Sequence, residues 1–74
     1  MPITEVYDAL ADQYTVTMDK GEIEVIIGDE KTVIISEGLG GYNLTLYKDN
    51  QIDAMATAQK FKILVEQLYW WSQE

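Results

Sequence analysis

Carboxylates are the one chemical resource this 74-residue chain holds in quantity. It has 13 Asp and Glu against five lysines, with no His and no Cys. Paired carboxylates point first to general acid–base chemistry. Glu22 and Glu24 share one face of an alternating segment, about 6.6 Å apart at roughly 3.3 Å per residue. A glycosidase needs such a pair to flank a concave sugar site. A short meander without long loops has little room for one. Calcium chemistry needs acids at alternating loop positions, a glycine at the sixth and a glutamate at the twelfth, and neither Asp29-Glu30 nor Asp49 to Asp53 follows that spacing. Gly38-Leu39-Gly40-Gly41 has the composition of a phosphate loop, but such loops open a helix and bring a lysine to the phosphate. Here a strand pattern follows, and the next lysine is Lys48. Without His or Cys, most zinc, haem, iron–sulfur and triad chemistry is removed as well. The expectation is a chain that is not an enzyme, with no catalytic, cofactor or metal site.

The acids are unevenly placed. Residues 1–37 hold nine carboxylates against Lys20 and Lys31, a net −7, while residues 38–74 carry only −1 of the total −8. A chain so charged cannot neutralise a row of phosphates, so direct nucleic-acid binding is not expected. A surface of carboxylates can instead stand in for those phosphates and occupy a basic protein surface, with electrostatically steered association. The candidate partner-binding residues are Asp19, Glu22, Glu24, Asp29, Glu30 and Glu37. A purely solubilising role is the competing explanation of the same charge.

The elements that must position these groups follow from hydrophobic period. Ile3, Val6, Tyr7 and Leu10 fall on one face of a short helix, with Thr4 available as N-cap. The period then becomes two. Tyr14, Val16 and Met18 alternate with threonines, and Asp19-Lys20-Gly21 suits a three-residue hairpin loop. Ile23, Val25 and Ile27 form the inner face of a second strand, and Gly28-Asp29-Glu30 turns into a third with Val33 and Ile35 inward. After the glycines, Tyr42, Leu44 and Leu46 mark a fourth strand. Asp49 or Asn50 then reads as the cap of a long helix from about Gln51 to Ser72. The result is a single α+β domain over residues 1–74, ordered α-β-β-β-β-α. Its antiparallel four-stranded meander is packed in two layers by the long C-terminal helix.

That helix carries two apolar stripes. Ala54, Ala58, Phe61, Leu64, Val65 and Leu68 make the stripe for the sheet. Ala56, Ile63 and Trp70 recur every seven residues on the other side, with Tyr69 and Trp71 on the flanks. A domain of this size buries only roughly 60% of the surface its unfolded chain exposes, so a homodimer through Ala56, Ile63 and Trp70 is a second expectation. Ile26, Ile34 and Tyr47 also occupy outward sheet positions.

Two functional readings follow. The first is a non-enzymatic inhibitor or regulator whose acidic face occupies a basic, nucleic-acid-binding surface of a partner protein. In size, acidity and lack of catalytic groups the chain is similar to small phage-encoded inhibitors of host defence, anti-CRISPR proteins among them; the likeness is one of general character and carries no motif. The second is a homo-oligomeric structural or adaptor protein that uses the outer face of the helix. No basic, then apolar, leader opens the sequence, and no apolar run approaches a membrane span of about 20 residues. A cytoplasmic location without membrane contact is therefore expected.

Overall fold

Four two-residue turns set the architecture. The computed structural model describes residues 1–74 and places α1 (Ile3–Ala11), β1 (Thr15–Asp19), β2 (Glu22–Gly28), β3 (Lys31–Gly38), β4 (Gly41–Lys48), β5 (Gln51–Ala58) and α2 (Phe61–Gln73). Each strand pairs antiparallel with the next, giving one sheet in the order β1-β2-β3-β4-β5. The terminal pairs Asp19 with Glu22, Gly28 with Lys31, Gly38 with Gly41 and Lys48 with Gln51 leave two residues in every loop. Such loops need left-handed backbone to match the strand twist. Lys20 and Gly21 supply it in the first turn, Glu30 in the second, Gly40 in the third, and Asp49 and Asn50 in the fourth. The loop between β1 and β2 is thus Lys20-Gly21, one residue shorter than expected.

The sheet has five strands, not four. Residues 51–58, expected as the first two turns of a long helix, form the edge strand β5, and α2 begins only at Phe61. The turn explains the difference. Asp49 and Asn50 have φ of 53° and 67°, left-handed values that Asp and Asn tolerate better than other side chains. They reverse the chain instead of capping a helix. Asp53 is an extra residue on β5, between the pairs of Tyr47 with Ile52 and Leu46 with Ala54. At the other end, Pro2 rather than Thr4 occupies the N-cap of α1, without a side-chain cap; its missing N–H is one the first turn does not need.

Alternation decides what the core contains. Ile23 and Val25 on β2, Val33 and Ile35 on β3, and Tyr42, Leu44 and Leu46 on β4 are buried. Val6 and Leu10 of α1 and Leu64, Leu68 and Trp71 of α2 join them in one cluster. No polar or charged residue is buried. Both helices therefore lie on the same side of the sheet, α1 against β1 and β2, α2 against β2 and β5. Trp71, expected on a flank of the helix, is a core residue only 6% exposed, while its neighbour Trp70 is 63% exposed.

The far end of α2 is tied back to the sheet by one cation. The Lys31 ammonium donates to the carbonyl of Trp71 at 3.3 Å and to the carbonyl of Glu74. The Trp71 carbonyl also accepts the Glu74 N–H, at 3.4 Å, and both carbonyls sit in the last turn, at the negative end of the helix dipole, where few intrahelical donors remain. Lys31→Met should therefore fray the last turn, at a cost of about 1 kcal/mol. Faster amide exchange confined to the final turn of α2 is the expected reading; an unchanged exchange pattern would show that the contact holds nothing.

Candidate protein-binding face

Because both helices cover one side, the other side of the sheet has no covering layer. Its side chains are the outward half of each alternation, and the strand register lays them out in rows. One row runs Thr15, Ile26, Thr32, Tyr47, Ile52, and the next runs Thr17, Glu24, Ile34, Thr45, Met55. Toward the other end stand the pair Asp19 and Glu22, and the triplet Ser36, Asn43 and Thr57. The face is therefore apolar toward β3, β4 and β5 and acidic toward β1 and β2. Ile26, Ile52 and Met55 are exposed, at 49%, 59% and 73%, and Ile34 and Tyr47 are half-buried among their neighbours.

Three open depressions mark this surface. One, about 490 Å³, is lined by Glu24, Ile26, Glu30, Lys31, Thr32, Ile34 and Tyr47 among others. A second, about 160 Å³, is lined by Thr17, Asp19, Glu22, Glu24 and Ile34. The third and largest, about 550 Å³, lies over β4 and β5 against Ser36, Asn43, Thr45, Met55 and Thr57. Lys31 alone of the lysines lines one of them, with its stem rather than a paired ammonium, since the ammonium reaches the end of α2. Lys60 and Lys62 flank the start of α2, Lys20 caps the β1–β2 turn, and Lys48 shares the inward parity of Leu46. The one hydrogen bond to these carboxylates comes from the Thr17 hydroxyl, which donates to Glu24 Oε1 at 3.4 Å.

The six carboxylates expected to act together are only partly gathered. Asp19, Glu22 and Glu24 share the uncovered face, and Glu30 reaches its edge from the β2–β3 turn, where Asp29 is also exposed. Glu37 does not join them. It pairs with Tyr42 at the opposite end of β3 and has the parity of the helix side. The apolar residues Ile52 and Met55 were missed as part of this face, because a helical reading of 51–58 removes them from the sheet. The signal was present in the strict alternation of Ala54, Ala56 and Ala58 with Met55 and Thr57.

The expected oligomer stripe does not exist as a line on one helix. Ala56 is a half-buried residue of β5, whereas Ile63 and Trp70 are exposed on α2. Tyr69 stands against Trp70 edge to face, ring centroids 5.5 Å apart. The glycine segment is the β3–β4 turn. Gly41 lies so close to the end of β5 that a Cβ there would meet the carbonyl oxygen of Ala58 at 2.4 Å.

No group of three or more His, Cys, Asp or Glu side chains is placed to hold a metal ion. No helix is long and apolar enough to cross a membrane. Comparison of the chain with protein-family models, with curated proteins and with solved structures found no match. What the fold and the face define is a small α+β domain with one uncovered, acidic and apolar sheet surface.

Proposed function

We propose that this protein is a non-enzymatic binding module whose uncovered sheet face seats a basic surface of a partner protein. Its concrete form would be an inhibitor or regulator that displaces nucleic acid from that surface, as phage-encoded inhibitors of host defence do. One observation supports this above the others: the apolar rows through Ile26, Ile34, Tyr47, Ile52 and Met55 adjoin Asp19, Glu22 and Glu24 on a single face. Exposed apolar surface rimmed by polar groups is the usual mark of a protein-binding site. Carboxylates without cationic partners give it a sign, and the sign selects a basic partner.

The two halves of the face divide the work. Apolar contact with the β3–β5 side supplies affinity that salt does not screen, and the acidic side supplies orientation and encounter rate. Glu22→Gln with Glu24→Gln should weaken binding to the basic partner by about tenfold at low ionic strength, two exposed charge contacts being worth roughly 0.5–1 kcal/mol each. The difference should close as salt shortens the screening length below about 10 Å. Calorimetry against a partner captured from nuclease-treated lysate, at low and high salt, reads both quantities. Equal affinity of the double variant and the parent at low salt would leave the carboxylates as ordinary surface and overturn the proposal.

A further inference from the structure

We infer that the free edge of β5 is a self-association site, at which a second copy of this chain pairs antiparallel to make a continuous ten-stranded sheet. β5 is hydrogen-bonded on one side only, to β4. Seven of its eight residues are exposed or half-buried, and it contains no Lys and no Pro. Natural edge strands are blunted by such residues, by shortness, or by bulges. β1, the other edge, is short at five residues and lies against α1. On β5 the bulge at Asp53 disturbs only the first three residues, leaving Ala54 to Ala58 as a regular edge with unpaired backbone groups.

Charge selects a second copy as the occupant. The acid-rich elements α1, β1 and β2 are at the far side of the sheet order, so copies meeting at β5 bring together the halves that carry −1 rather than −7. The segment is also self-complementary. In an antiparallel pair centred on Ala56, Met55 of one copy faces Thr57 of the other, and Ala54 faces Ala58. Asp53, at the bulge just before this regular edge, then lies toward Lys60 just beyond the end of the partner's strand, and the two-fold axis repeats the contact. Small alanines on the helix side let the two sheets join without a clash of large side chains. Met55, 73% exposed on the outer face, gains a neighbour. Isologous pairing of this kind closes as a dimer and does not propagate. The uncovered face stays free and doubles in width, so this inference is independent of the binding function proposed above.

The test is sedimentation equilibrium over a wide protein concentration range. The parent chain should approach 16.8 kDa, twice its 8.4 kDa. Met55→Glu with Thr57→Glu places like charges directly across the new pair and should abolish the dimer, while circular dichroism of the monomer is unchanged. Asp53→Lys should weaken the dimer by about tenfold, two exposed charge contacts being lost at once, and Asp53→Lys with Lys60→Glu should restore it. Amide exchange at Ala54 to Ala58 should slow with concentration in the parent. A monomer at all concentrations would overturn the inference. So would a dimer that survives the two glutamates, or one lost on changing Ile63 and Trp70 instead.

Discussion

Trp71→Ala is expected to cost about 3–5 kcal/mol of folding stability, the range for deleting a large buried aromatic side chain. Trp71 is among the 13 buried residues, packed with Leu64 and Leu68 on the side of α2 that meets the sheet. A 74-residue domain has little reserve, since stabilities of whole domains run from about 5 to 15 kcal/mol and small ones fall low in that range. The variant should be largely unfolded near physiological temperature. Trp70→Ala removes a ring of the same size from the next position, yet should stay within about 0.5 kcal/mol, because that ring is already in water. Urea denaturation of the two variants side by side gives the contrast. Losses of equal size would mean that the helix is rotated about its axis from the position described here.

Gly41→Ala should be the most damaging single-atom addition in the chain. Its Cβ would stand 2.4 Å from the carbonyl oxygen of Ala58 and 2.8 Å from Cα of Gln59. Both are backbone atoms, and both belong to the junction through which β5 hands the chain to α2. Neither can yield without moving the strand end or the start of the helix, so a loss of about 3 kcal/mol or more is expected, at or above the usual cost of overpacking. Gly40→Ala is the control. That residue has φ of 75° and open space around it, so only left-handed strain is charged, about 1–2 kcal/mol. Thermal melts should rank Gly41→Ala well below Gly40→Ala. A reversed order would show that the β5–α2 junction relaxes freely away from the start of β4, and would remove the close approach as a determinant of the fold.

Much of the molecule is legible in its residues because two periods alternate along the chain. Ile3, Val6, Tyr7 and Leu10 repeat at helical spacing, and the runs around Val16, Val25, Val33 and Leu44 repeat at spacing two. Each run is bounded by a turn whose residues accept unusual backbone angles. Those features determine α1, β1 to β4 and the antiparallel meander, since connections this short permit no crossover. They also determine the sign and unevenness of the charge, and place Ile26, Ile34 and Tyr47 outward.

Residues 49–58 were decided by tertiary structure. Ala and Met favour helix in isolation, Asp and Asn serve equally as helix caps and as left-handed turn residues, and local preference alone selects the helix. The sheet prevails because pairing with β4 satisfies backbone groups along eight residues and buries Ala58 beside Tyr42. Periodicity also misjudged the tryptophans. Started ten residues too early, the helix assigned its faces by extrapolation, so Trp71 fell on a flank when α2, beginning at Phe61, turns it inward. Glu37 fails to join the other acids for a simpler reason. Sequence counts charge along the chain, but the side of the sheet on which a charge stands depends on register, and register exists only once the strands have paired.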